Sequence, residues 1–371
     1  VSVAVAVKVH GVPLDPSIVL ADVTVRSGRE RADDGLSPSS ATVDLLSPAP
    51  LGSTLRIADA IAITANGVAR FAGRVAELTQ DARGGQTATT LVAVGALARL
   101  PRLPVALPLP AATAAARVSA IFAGAGIPVA ISGGTTYNLA AYGATGDDPT
   151  TADTVVAAVM ADTGAIVADG GDGTVIVQFP EARISGEKHT PDAARTSSEL
   201  VWQMSDDVVN DASVEYGPQA SRAVARATNS ISIETYDVHA TRLSSGLGDA
   251  GSATRRATSI VSRLAAPAWE VRSVESWDDA ALTYHVGALM TLGPLSSAAP
   301  VPSPWIGILE GWTERYQPDD AGGIIGVWDL AMGDPRHSAE TLVWANATPA
   351  EHWATVNPAT SWQEVISNSD L

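Results

Sequence analysis

The chain repeats a short β pattern, and that doubling limits its folds more than any other feature. The first copy runs Gly52-Ser53-Thr54-Leu55-Arg56-Ile57, then Phe71-Ala72-Gly73-Arg74-Val75-Ala76-Glu77-Leu78-Thr79. The second runs Gly287-Ala288-Leu289-Met290-Thr291-Leu292, then Trp305-Ile306-Gly307-Ile308-Leu309-Glu310-Gly311-Trp312-Thr313. Each copy then reaches a Gly-Gly turn, Gly84-Gly85 or Gly322-Gly323. Apolar residues alternate with others in both, the period of half-buried strands. An aromatic opens the second strand, and the glycine two places later marks a bulge or a close backbone approach. Val75 and Leu78 carry the apolar pattern onward in one copy, Leu309 and Trp312 in the other. Two similar β-units in one chain predict a scaffold that presents one surface twice, which points to assembly geometry more than to catalysis.

The rest of the sequence divides around these units. Residues 1–100 alternate as strands and predict a first antiparallel β-barrel. Prolines at 101, 104, 108 and 110 open an α+β segment over 101–199. Within it, Ala111–Ala123 predicts a short helix. A stronger helix follows Thr151, with Val155, Val156, Val159 and Met160 on one face and Gly164 as its stop. A hairpin turns at Asp169-Gly170-Gly171-Asp172-Gly173. Residues 200–236 and 285–335 predict a second barrel, with strands at Leu200–Met204, Val208–Tyr216 and Val224–Ile233. An inserted helix-strand domain occupies 237–284, its helix at Ser252–Leu264. Residues 336–371 form a C-terminal arm. The fold class is therefore mainly β with α+β inserts: two related barrels, two small α/β domains and an arm.

At 371 residues with 46% hydrophobic content, the chain can bury several cores, filled mostly by aliphatic side chains because aromatics make up only 5%. No stretch of about 20 apolar residues exists, so no membrane span is expected. The first residues lack a basic region, so no secretory leader is expected. With no cysteine, disulfides and thiolate metal sites are excluded. A net charge of −17 repels phosphates and disfavours DNA binding, while suiting a passage along which DNA slides.

The sequence offers no catalytic, cofactor or metal constellation. His10, His189, His239, His285, His337 and His352 lack partners three or four residues away. The Asp169–Gly173 turn lacks the alternating oxygens of a calcium loop. The pairs Asp206-Asp207, Asp278-Asp279 and Asp319-Asp320 read as turn residues rather than a glycosidase dyad. Gly124-Ala125-Gly126 lacks the third glycine of a phosphate loop. All nine tryptophans lie after residue 200. Three of them, Trp344, Trp353 and Trp362, recur every nine residues in the arm. They are candidates either for pinning the arm to its own domain or for docking it on a neighbouring subunit.

Several segments resemble the hub proteins at the tail tip of contractile and long-tailed bacteriophages. Asp207-Val208-Val209-Asn210-Asp211 followed by Ser230-Ile231-Ser232-Ile233-Glu234-Thr235-Tyr236 is similar to their third domain. Ser252–Leu264 with Pro267 resembles their insertion, and Thr154–Phe179 their second domain. Leu97-Ala98-Arg99-Leu100 resembles the closure of their first barrel, and the doubled β-unit their two related barrels. One departure stands out: Tyr236-Asp237 replaces the family's Tyr-Gly. The resemblance implies a homotrimer whose six units match a six-fold tail-tube or distal-tail ring while keeping three-fold symmetry toward the tip. It implies partners among the tape-measure protein and other tail-tip or fibre proteins, DNA only in transit, and a place at the virion tail tip after assembly in the host cytoplasm. No lysozyme or peptidase domain is expected in a chain of this length. Two other readings compete: a carbohydrate-binding adhesin using exposed tryptophans, and a cell-wall hydrolase with an unrecognised site.

Overall fold

Strict alternation of buried and half-buried residues builds the N-terminal β-unit. The computed structural model describes residues 2–29, 35–51, 55–83, 86–143, 150–183, 188–197, 199–205, 207–218, 221–271, 273–301, 303–318 and 323–333. The strands are β1 (Val5–Val9), β2 (Val12–Pro13), β3 (Val19–Gly28), β4 (Ser40–Ser47), β5 (Ala60–Ala65), β6 (Val68–Arg83) and β7 (Gln86–Val94). They lie in the order β3-β4-β7-β6-β5-β1-β2. Val23, Val25, Val43, Leu45, Ile61, Ile63, Phe71 and Leu91 point inward, each 3% exposed or less. Period-two burial of this kind fixes register, because a one-residue slip would turn every one of these side chains to water.

A 3-10 segment, Ala96–Arg102, leaves this unit and buries Leu97 and Leu100. Next come β8 (Pro104–Val105), β9 (Ala112–Thr113), α1 (Ala114–Gly124), β10 (Val129–Ser132), β11 (Asn138–Leu139), β12 (Thr150–Thr151) and α2 (Ala152–Thr163). Thr113 caps α1 by accepting from the Ala116 N–H at 3.2 Å. Thr151 stands at the N-cap of α2 but makes no capping bond; its hydroxyl meets Thr154 instead, at 3.1 Å. Gly164 ends α2 with φ 76°, the left-handed stop the sequence predicts. The expected hairpin follows as β13 (Ile166–Asp169) and β14 (Val175–Gln178), and β10 runs parallel to β14. The short α3 (Pro180–Arg183) and β15 (Lys188–His189) lead out.

The second half comprises β16 (Trp202–Ser205), β17 (Asp211–Tyr216), β18 (Ala223–Thr228), α4 (Ser230–Tyr236), β19 (Ala240–Ser244), α5 (Ala250–Leu264), β20 (Ala268–Val271) and β21 (Val274–Ser276). It ends with β22 (Leu289–Leu292), β23 (Trp305–Pro318) and β24 (Ile324–Gly333). One expectation fails here: Ser230–Ile233 is helix, not strand. Asn229 accepts from the Ser232 N–H at 3.0 Å and caps a helix that the β-branched Ile231 and Ile233 mask in the sequence.

The molecule has two main cores. One is shared by both β-units and joins Val23, Phe71 and Leu91 to Val271, Trp305, Leu309 and Trp328. The other is shared by both inserts, where Ala253, Ala257 and Ile260 of α5 pack with Val214 of β17, Phe122 of α1 and Val156 of α2. Residues 200–236, read from sequence as second barrel, thus divide. Trp202 packs on the β core, whereas β17 and β18 pack under α5. The small Ala253 and Ala257 let α5 lie close against that sheet.

Candidate functional site

The two β-units repeat the same three-strand core, although β1 runs antiparallel to β5 and β15 runs parallel to β22. In each, a short strand, a long strand and a third strand form a meander: β5-β6-β7 and β22-β23-β24. Phe71 lies opposite Ile63, and Trp305 opposite Leu292. The glycine two places on sits under its own aromatic ring. A Cβ on Gly73 would come within 2.6 Å of Phe71 Cζ, and one on Gly307 within 2.4 Å of Trp305 Cζ3. The long strand then bulges at the same place, between Val75 and Glu77 in β6 and between Leu309 and Gly311 in β23. The bulge residues are Ala76 and Glu310.

This correspondence corrects the sequence alignment of the short strands. The Ala58 N–H donates to the Val75 carbonyl at 2.8 Å, and the Val75 N–H donates to Asp59 at 2.9 Å. The Gly287 N–H donates to Leu309 at 2.7 Å, and the Leu309 N–H donates to Ala288 at 2.9 Å. Ala58 has φ 72° and Gly287 φ 86°. Ala58 therefore matches Gly287, and β5 matches β22. Leu55, Arg56 and Ile57 precede the strand, while Gly52, Ser53 and Thr54 lie outside the described residues. An alanine in a left-handed position conceals the match, since glycine is the usual signal there.

The longest contact between the units is a seam where β3 of the first pairs antiparallel with β23 of the second from Gly28↔Gly311 to Val23↔Tyr316; Ser2 also bridges Ile325 of β24. This seam makes the β-sheet continuous over 12 strands. Two buried ion pairs cross between the units. Arg29 Nε lies 2.7 Å from Glu310 Oε2, and Arg70 Nε 2.8 Å from Glu314 Oε2. Glu314 Oε2 also accepts from the Tyr316 hydroxyl at 2.7 Å and from Trp328 Nε1 at 3.1 Å. The Arg70 guanidinium donates to the Leu282 carbonyl at 2.6 Å and lies 5.3 Å from the centre of the Trp312 ring. Burial, reinforced by the Glu314 carboxylate, pushes the Tyr316 phenol far above its ordinary range, so it stays a donor. Both carboxylates are fully buried. Nothing in the sequence marks them, because a glutamate on a strand reads as a solvent-facing residue. Leu78, by contrast, is half-buried against the first core, as its apolar pattern predicts.

Asp169 and the Asp278-Asp279 pair hold other parts of the chain in place, while Asp206, Asp319, Asp320, His337 and His352 lie outside the described residues. Asp169 accepts from the Ser39 N–H at 2.8 Å, the Ser39 hydroxyl at 3.1 Å and the Leu97 N–H at 3.0 Å, tying the hairpin to the first β-unit. Asp278 accepts from the Ala280 and Asp192 N–H groups, and Asp279 pairs with Arg195 at 3.0 Å. The fold brings His189 and His285 to 5.9 Å between ring centres, with Tyr284 beside His189, a proximity the spacing hides. Among the described residues no group of three or more metal-ligating side chains forms, and no helix is long and apolar enough to cross a membrane. Trp344, Trp353 and Trp362 lie outside the described residues.

No family model and no curated protein matches the sequence. Solved structures do match the fold. The 43 kDa tail protein of prophage MuSo2 from Shewanella oneidensis aligns with TM-score 0.62 at 11% identity, covering 91% of this chain and 99% of that one. A tail protein from Neisseria meningitidis MC58 aligns with TM-score 0.62 at 12% identity, covering 91% and 100%. An Escherichia coli component of the type VI secretion system, described as similar to the T4 bacteriophage tail proteins gp27 and gp5, aligns with TM-score 0.51 at 10% identity, covering 90% and 78%. The chain shares the fold of these proteins over 90–91% of its length, in line with the resemblance carried by the short motifs.

Proposed function

We propose that this chain is a structural component of a phage tail, and within the tail the hub at its tip. The observation that carries the reading is the duplicated β-meander with its matching bulge, the two copies joined by a continuous sheet across the β3–β23 seam. Such a chain in three copies offers six near-equivalent units to a six-fold tube or distal-tail ring, and three-fold symmetry to the tip below. The fold it shares with tail proteins supports the same role. Its partners are then two further copies of itself, the ring above, the tape-measure protein and the tip or fibre proteins. DNA passes through without sticking to an acidic wall. The role is one of assembly, with the buried carboxylates committed to ion pairs rather than to a substrate.

Reconstruction of intact particles tests this directly. Density for three copies, at the tail tip and surrounding the channel, is the expected result. Absence of the chain from purified particles, or a copy number unrelated to three, overturns the reading.

A further inference from the structure

The seam inside the chain has a counterpart position on the first unit. Along β23, β22 covers one edge up to Ile308, and β3 takes over the same edge from Gly311 to Tyr316. On the matching strand of the first unit, β5 covers the edge up to Arg74. Among the described residues no strand continues over the matching positions Glu77–Ala82. The second unit holds the counterpart of β3. Thr196 bridges Ser276 of β21, and β16 pairs with β20 just before it, so the segment Thr196–Ser205 lies outside β20 and β21 as β3 lies outside β4. Leu200 and Trp202 are half-buried against the same β core in which Val23 and Val25 are fully buried. Trp202 also packs edge-on against Trp305, with 5.6 Å between ring centres. Among the described residues β20 is the only strand that pairs with β16, and Val201 is 62% and Met204 48% exposed. β16 carries no lysine, proline or bulge of the kind that keeps an edge strand from pairing.

We propose that the edge of β6 at Glu77–Ala82 receives β16 of a second copy of this chain, antiparallel and in the register of the internal seam. The inference rests on the hub reading and specifies its subunit contact. Core-facing parity sets the register: Leu78 meets Met204, Gln80 meets Trp202 and Ala82 meets Leu200. Thr79 then faces Gln203 on the solvent side, as Thr313 faces Arg26 within the chain. The Arg29 N–H donates to the Glu310 carbonyl at 3.0 Å, which makes Gly28/Gly311 a non-hydrogen-bonded pair and, by alternation, Arg26/Thr313 another. The Thr79/Gln203 pair inherits that close spacing, suited to a disulfide. The contact is head-to-tail, so it closes only as a ring.

The chain has no cysteine, so introduced thiols report without background. Both positions are exposed, which keeps folding out of the test. The double variant Thr79→Cys/Gln203→Cys, oxidised mildly, is expected to give a covalent ladder ending at three chains on a non-reducing gel. Each single variant, and the out-of-register pair Thr79→Cys/Val201→Cys, should give little. Native mass spectrometry and the same oxidation of assembled particles complete the test. Trimers without the 79–203 bond, or with the 79–201 bond preferred, overturn this pairing and leave the hub standing. No bond in particles that contain the chain also overturns the pairing. Particles that lack the chain remove the hub reading and this contact with it.

Discussion

Asp162 shows how much a single buried group sets the behaviour of this fold. It is 7% exposed at the end of α2, and its carboxylate accepts from the Gly246 N–H at 2.9 Å. Burial pushes it up from 3.8 to about 6, with the Gly246 bond and the charges of Arg256 and Arg117 pulling the other way. At pH 5 the native chain holds a proton there that the unfolded chain has lost. Stability from this group is therefore complete below about pH 4 and falls as pH rises through about 6. Asp162→Asn keeps an acceptor for Gly246 and removes the charge. The variant should be more stable than the parent by about 2–3 kcal/mol at pH 7, and the gap should vanish toward pH 4. Urea midpoints measured across that range check the slope. Arg263 responds to the same kind of environment, brought down to about 9 first by burial and then by neighbouring Arg256.

At the scale of elements, the alternation at Val5–Val9, the valine face of α2 and the Asp-Gly hairpin tip were all legible, because each is a local signal. The segment Ser230–Tyr236 was not. Ile231 and Ile233 alternate like a strand, yet Ile231 is 76% exposed and the Asn229 cap decides for helix. The helix ends at Asp237, with φ 62° and ψ −179°. That region is favourable only for glycine. Asp237→Gly should therefore raise stability by about 1–3 kcal/mol, seen as a higher thermal midpoint with unchanged secondary structure. The joint core of the two inserts was equally hidden, since its partners, such as Phe122 and Ala257, lie far apart in sequence. The doubled long strands were visible in Phe71-x-Gly73 and Trp305-x-Gly307. The short strands were misaligned because Ala58 stands where Gly287 stands.

Over the whole molecule, the β3–β23 seam turns two units into one sheet, and its charges are its least legible part. Arg29 and Arg70 come from the first unit, Glu310 and Glu314 from the second, more than two hundred residues away. Removing one partner of such a pair strands the other in a dry interior at a cost of about 3–5 kcal/mol. Glu314→Ala leaves Arg70 in that state and frees the Tyr316 and Trp328 donors, so its thermal midpoint should fall sharply. A variant that melts like the parent would show that the seam does not depend on this carboxylate.

The bulge glutamate has a further consequence. Its counterpart in the first unit is Ala76, and the counterpart of Glu314 is Gln80, so only one of the two kinds of joint in a closed annulus would be riveted by charge. Chaotropes should then unfasten the annulus into intact protomers well before any protomer splits into its halves.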